Sequence, residues 1–304
     1  MKFYPSKLAR KGFTLAELLV AMAITVVLVS LTVVITGSAL DAWRGARNEI
    51  RAARQAKIML DSMSRDLESF VIRSNNNFEW LNAKSETRDI GPDGRESPNS
   101  ANLVFLTAAT DRYDGNVGDS TLDRGGDVSA VGYTLEYRDP IFADENERYS
   151  SFVVYRNLID PDQTFQGLLA TEDLEQAYSS AAGGATQSKN FMCENVFEMT
   201  VIFAIEYIDS SGELKKVRVP ILSSSGGANA VGELSVRGDQ ILADGQPPAY
   251  SRGRVVGVDL SITVLNDTGM RQIRRVPFET QDEKAKFLSE NSYHYSRTVV
   301  LPQP

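Results

Sequence analysis

With 304 residues, 42% of them hydrophobic, and a formal net charge of −8, the chain can bury a core in one or two domains. Its acidic balance lacks the clustered Lys and Arg that nucleic-acid binding needs. Cys193 is the single cysteine and His294 the single histidine, which excludes an internal disulfide and a multi-histidine metal site.

Residues 1–12 (MKFYPSKLARKG) carry Lys2, Lys7, Arg10 and Lys11 and no acid, so the remainder alone would stand at −12. From Leu18 to Leu40 there are 23 positions without a charge. As a helix that run is roughly 35 Å long, enough to cross a hydrocarbon core with some tilt. It exceeds the apolar core of a secretory signal, and TGSALDAWRGAR follows it in place of a small-residue cleavage site. Processing is therefore expected ahead of the run, after Gly12. Glu17 lies just inside the apolar edge. An unpaired charge at a bilayer centre costs about 2.5–3.5 kcal/mol on insertion scales and less near the edge. Pairing with an ammonium relieves that cost, and snorkelling into the headgroups is the alternative. Arg44, Arg47, Arg51, Arg54 and Lys57 beyond the run balance the four basic residues before it, so charge alone leaves the orientation open.

Trp43, Ala46, Ile50, Ala53, Leu60, Leu67 and Val71 recur at three- and four-residue spacing, with lapses at Lys57 and Ser64. The pattern predicts one helix from Phe13 to Arg73, about 90 Å long if unbroken, ended by Asn75-Asn76-Asn77. Its second half should bury an apolar stripe, and Trp43 suits an interfacial anchor.

Residues 82–101 read as a polar loop. Strands are expected at Leu103–Thr107, around Val131, Tyr133, Leu135 and Tyr137, and at Ser151–Leu158, the last two forming a hairpin across 139–150. A short helix is expected over Thr171–Ala182, stopped by Gly183-Gly184. Asn195–Ile208 and Glu213–Ile221 flank DSSG as a hairpin, and Arg254–Leu265 and Met270–Val276 flank NDTG as a second one. A Gly-rich loop fills 223–253, a short helix Phe278–Asn291, and a last strand His294–Leu301. No repeat or spacer marks a second independent domain.

The segment Asp111–Asp127 offers Asp114, Asn116, Asp119 and Asp123 as oxygen ligands of the kind calcium takes. It departs from the order of an EF-hand loop, and we read it as a solvated turn-rich loop with no metal. Cys193 reads as a small buried apolar residue and His294 as a surface or packing residue. Gly183-Gly184 and Gly226-Gly227 lack the strand–helix context of a phosphate loop. No catalytic constellation emerges, so the chain is expected not to be an enzyme and to need no cofactor.

The arrangement Lys11-Gly12-Phe13-Thr14-Leu15-Ala16-Glu17 followed by an apolar tail resembles the leader of type IV pilins and type II secretion pseudopilins. That resemblance implies cleavage between Gly12 and Phe13 by a prepilin peptidase, which also methylates the Phe13 amine. Glu17 then falls at the family's acidic fifth mature position and pairs with a neighbouring subunit's terminal amine. The body, in RQAKIMLDSMSRDLES, LVFLT, VSAVGYTLEY, FEMTVIFAIEYIDSSGE and VVGVDLSITVLNDTG, is most similar to the J-type minor pseudopilin. It departs from that type in extra loop material near 82–101, 139–150 and 222–253.

The expected fold is α+β and pilin-like, a long N-terminal helix against antiparallel sheet. Residues 1–12 form the leader, 13–41 the transmembrane helix, 42–77 its amphipathic continuation and 78–304 a β-rich globular domain. The resemblance implies a minor filament subunit in the inner membrane, single-pass, with its C-terminal domain in the periplasm. Its partners would be the prepilin peptidase and other pilin-like subunits, with no nucleic acid. A pilin-anchored adhesin or ligand-binding protein is the alternative.

Overall fold

The computed structural model describes residues 14–86, 90–109, 127–141, 149–183, 186–223, 229–275, 277–278 and 280–302. The chain divides into two compact units, Met1–Glu49 and Ile50–Pro304. A single helix, α1 (Leu15–Glu68), supplies almost all of the described part of the first unit and opens the second.

In the first unit the α1 side chains are exposed around the whole circumference, Leu, Val and Ile included. Three hydroxyls in the apolar run need no outside partners. Thr25 and Thr32 donate to the carbonyls of Ala21 and Leu28, and Ser30 to that of Val26, each at 2.8 Å. Bonding four residues back removes a polar cost that an apolar surrounding would otherwise impose.

In the second unit Ala52, Ala56, Met59, Leu60, Met63 and Leu67 of α1 are buried. These positions define the apolar stripe. The three- and four-residue spacing expected from sequence holds from Leu60 to Leu67, but earlier the buried face falls on Ala52 and Ala56, with Ile50 and Lys57 exposed and Ala53 half-buried. Small Ala52 and Ala56 let the helix lie close to its neighbours, and Ser64 satisfies its hydroxyl on the Leu60 carbonyl at 2.7 Å.

The helix ends at Glu68 and does not continue to Asn77. Phe70 bridges to Thr107 and the Val71 amide donates to the Leu106 carbonyl at 3.0 Å, so the chain leaves extended along the next sheet. The Asn run is a turn into a strand, with Asn75 at φ 61°. Asn tolerates that left-handed conformation better than most side chains.

Two antiparallel sheets make up the body. The strands of the first are β1 (Glu79–Ser85), β2 (Ala101–Thr107), β3 (Ser129–Arg138), β4 (Ser151–Ile159) and β5 (Phe191–Glu194), with β8 (Glu233–Arg237) and β9 (Gln240–Ala243). Their order is β5-β4-β3-β2-β1-β8-β9. The second sheet joins β6 (Val196–Ile208), β7 (Leu214–Pro220), β10 (Arg254–Leu265) and β11 (Ser292–Val300) in the order β11-β10-β6-β7. Among the described residues, helices α2 (Pro161–Gln163), α3 (Leu174–Ala181), α4 (Asp267–Ile273) and α5 (Gln281–Asn291) lie between strands. The fold is α+β and pilin-like, as expected, with the long helix against antiparallel sheet.

Asn99 stitches the two sheets together. Its side-chain amide donates to the carbonyls of Met199 and Ile221 and to Thr200 Oγ1, while its oxygen accepts from Ser85 Oγ at 2.8 Å. Beneath the sheet an aromatic row runs from Trp80 through Phe70 to Phe105, with ring centroids 5.0 and 5.5 Å apart. Edge-to-face and tilted pairs at these separations add to what burial alone contributes.

The DSSG hairpin joins β6 and β7 as expected, with Gly212 at φ 83°. NDTG does not form a hairpin. Asn266 caps α4, its side chain accepting from the Gly269 amide at 2.7 Å, and Met270–Ile273 is helical. The fourth-position Gly suits that cap, because an added Cβ would stand 2.9 Å from Asn291 Cβ. The expected polar loop 82–101 begins inside β1, and the expected Gly-rich loop 223–253 contains the β8–β9 hairpin.

Candidate functional site

Thr14 and Glu17 start α1 as a reciprocal pair. Glu17 Oε2 accepts from the Thr14 amide and hydroxyl, both at 2.9 Å, and the Glu17 amide donates to Thr14 Oγ1 at 3.2 Å. This is a capping box, in which two otherwise orphaned helix-start amides satisfy one another's side chains. The T-x-x-E spacing before an apolar run carries that signal in sequence, and reading Glu17 only as a charge awaiting an ammonium missed it. Both contacts fall on Oε2. Gly12 and Phe13 lie outside the described residues.

The helix that follows is long and apolar enough to cross a membrane, and its apolar run is exposed. Trp43 is 61% exposed, with the Arg47 guanidinium 5.7 Å from its ring centre. An exposed aromatic beside a cation suits a headgroup layer.

Further along, Asp66 of α1 meets Arg156 of β4 in a two-pronged ion pair, Nε to Oδ2 at 2.7 Å and Nη2 to Oδ1 at 2.8 Å. Tyr133 of β3 also donates its hydroxyl to Oδ2. All three side chains are buried. Burial, and the Asp66 carboxylate next to it, push the Tyr133 phenol well above its usual range. Thr107 Oγ1 donates to the Asp66 carbonyl at 2.9 Å, tying the same turn to β2. Sequence periodicity gave no sign of this cluster, because an Asp inside a helix reads as solvent-facing.

Glu79, also buried, accepts from Asn82 at 3.0 Å and from the Leu174 amide at the start of α3 at 2.8 Å. Desolvation raises its carboxyl above the usual value despite those bonds. This group fastens α3 to β1.

The remaining sequence candidates carry no chemistry where the structure describes them. Burial pushes the Cys193 thiol up to about 12, so it stays protonated and unreactive at neutral pH. His294 is exposed on β11, with Ser261 Oγ 3.1 Å from Nε2 and Thr263 Oγ1 3.5 Å from Nδ1. Thr263 Oγ1 also donates to Glu198 Oε2 at 3.3 Å. Asp114, Asn116, Asp119 and Asp123 lie outside the described residues, and among the described residues no group of three or more His, Cys, Asp or Glu is placed to hold a metal.

Residues 7–33 match the family model described as the prokaryotic N-terminal methylation motif. The match spans Gly12, Phe13 and Glu17 and supports a type IV pilin-like family. That motif implies processing by a prepilin peptidase and assembly with pilin-like subunits, and with the apolar helix it fits membrane anchoring. No curated protein and no solved structure matches the chain.

Proposed function

We propose that the chain is a minor pilin-like subunit, a pseudopilin, of a type II secretion or type IV pilus-type filament. The carrying observation is the N-terminal methylation motif at residues 7–33, continuous with an exposed apolar helix. In this reading residues 1–12 are the leader, 13–41 span the inner membrane and the body folds in the periplasm as one domain of J-type character. Prepilin peptidase cuts between Gly12 and Phe13 and methylates the new amine. The chain itself has no enzymatic role.

Glu17 then has two successive tasks. Before assembly its Oε2 caps its own helix through Thr14. On assembly Oε1 takes a neighbouring subunit's methylated amine, which neutralises the charge without uncapping the helix. Exposed Leu, Val and Ile of α1 leave the lipid for the helices of other subunits.

Mass spectrometry of the chain from cells with and without prepilin peptidase tests the processing step. The expected product lacks residues 1–12 and carries one methyl group on Phe13, and Gly12→Leu blocks both changes. Glu17→Leu should insert and be cleaved normally yet fail to enter filaments. An unprocessed chain in peptidase-positive cells overturns the proposal.

One observation favours a pilin-anchored ligand-binding protein as a second reading. A polar recess of about 480 Å³ is lined by Asn75–Asn77, Glu172, Arg237 and Asp239. Arg237 Nε at its wall is buried and bonded to no other described group. A hydroxyl-rich small ligand protecting Asn75–Asn77 from hydrogen exchange would support that reading.

A further inference from the structure

Three of the four sheet edges are blunted in recognised ways. Edge strands β5 and β9 are four residues each. β7 carries Lys215, Lys216, Arg218 and Pro220, residue types that discourage pairing with another strand. β11 has fewer of these protections, since Arg297 is its one basic residue and that side chain is paired with Asp61. It runs nine residues (SYHYSRTVV) without Lys or Pro, and β10 is its only partner strand among the described residues.

The direction of its backbone groups follows from one bond. The Leu301 amide donates to the Val256 carbonyl, in register with Val299 opposite Val258. Alternate residues therefore bond to β10, and Ser292, His294, Ser296, Thr298 and Val300 turn their amides and carbonyls outward.

Beside this open edge lies a groove of about 500 Å³, walled by residues 294–297 and by Ala53, Lys57, Leu60 and Asp61 of α1. Asp61 is neutralised by Arg297. Lys57 is exposed and makes no ion pair among the described residues, so the groove carries an uncompensated positive charge in an acidic chain. Along the helix Ala53 to Lys57 is about 6 Å of rise and Lys57 to Leu60 about 4.5 Å. Alternate side chains on an extended strand repeat at about 6.8 Å, close to the first step and within side-chain reach of the second.

We propose that the β11 edge and the α1 groove together form a docking site for an extended segment of another polypeptide. That segment adds a strand to β11 and presents an apolar, an acidic and an apolar side chain at alternate positions toward Ala53, Lys57 and Leu60. Backbone bonds to the outward groups of β11 supply affinity, and the groove supplies selectivity. The site does not depend on the filament reading.

The test uses the full chain in detergent and a probe peptide, acetylated and amidated Thr-Val-Thr-Glu-Thr-Val-Thr. Two controls replace its Glu by Lys or N-methylate alternate backbone amides. Calorimetric titration should show the Glu peptide binding at least tenfold tighter than the Lys peptide, and the N-methylated peptide not binding. Lys57→Glu, on an exposed helix position that leaves folding intact, should reverse the preference. The amides of His294, Ser296 and Thr298 should gain hydrogen-exchange protection on binding. Ser296→Pro removes an outward amide without touching a bond to β10, and should abolish binding. Equal binding of the Glu and Lys peptides, unchanged exchange at β11, or no binding at all overturns the proposal. So does self-association of the chain that Ser296→Pro abolishes, since the occupant would then be a second copy.

Discussion

The two stretches Leu18–Leu40 and Ala52–Leu67 belong to one helix and solve the same problem oppositely. Each contains hydroxyls in apolar sequence, and each bonds some of them four residues back, at Thr25, Ser30 and Thr32 in the first and Ser64 in the second. The first is apolar on every side and exposed throughout among the described residues. The second is apolar on one side, and it buries that side against the sheets. A helix hydrophobic all round has no face for water and calls for lipid or other helices, whereas a one-sided helix names its partner within the fold. The difference extends to charge. Glu17 is satisfied locally by the turn that holds it, and Asp66 by residues 67 and 90 positions away in β3 and β4.

The largest expected effect breaks the second stretch. Asp66→Ala leaves the Arg156 guanidinium buried without its counter-charge and should cost about 3–5 kcal/mol in denaturant unfolding of the full chain. The double change Asp66→Leu with Arg156→Met should recover most of that loss, because the desolvation penalty vanishes with both charges. If the single and double variants were equally unstable, packing of the aliphatic stems would be the stronger contribution.

A matched pair of truncations sharpens the comparison next. Met63→Ala removes a fully buried side chain and should cost about 2–5 kcal/mol of body stability. Leu28→Ala, at an exposed position of the apolar run, should change the same unfolding midpoint by less than about 0.5 kcal/mol. Its effect should appear in filament incorporation instead. A comparable loss of body stability in Leu28→Ala would mean that the two stretches are not energetically separate.

How much of this was legible depends on where each residue's partners sit. The apolar run, the long helix and strands β2, β3, β4, β6, β7, β10 and β11 announce themselves by local period and turn residues. β1 does not, because Asn82 and Ser85 sit buried in it, Asn82 bonded to Glu233 far along the chain and Ser85 to Asn99 beyond the intervening loop. The β8–β9 hairpin was readable in principle. Gly238-Asp239 stands between alternating residues, and Gly238 adopts φ 53° where an added Cβ would collide with the Asn76 carbonyl. NDTG misled because Asn-x-x-Gly serves a helix cap as well as a turn. The Asp66 cluster had no local signal, since its logic is wholly tertiary. At the N-terminus the assembly role proposed for Glu17 rests on resemblance, whereas its capping bond is written in T-x-x-E.

That bond gives the third prediction. Thr14→Ala removes the hydroxyl that caps the Glu17 amide and should weaken the first turn by about 1 kcal/mol. Amides of the first turn should then exchange about fivefold faster in the detergent-solubilised chain, with body stability unchanged. Exchange unaltered by the variant would place the cap elsewhere.

The smallest expected effect is the most informative about what surrounds the first stretch. Gly37 interrupts the apolar run, and an added Cβ would meet nothing within 4 Å. Glycine in a helix interior costs about 0.5–1 kcal/mol relative to alanine, so nothing among the described residues accounts for keeping it there. Gly37→Ala should therefore slow exchange of nearby amides by up to about fivefold in the isolated chain, a gain in local stability. If the same variant enters filaments poorly, the missing Cβ makes room for a neighbouring helix, and the exposed stretch has a packed partner after all. If incorporation is unchanged, Gly37 leaves the helix room to bend, and the stretch meets its surroundings through bulk apolar contact alone.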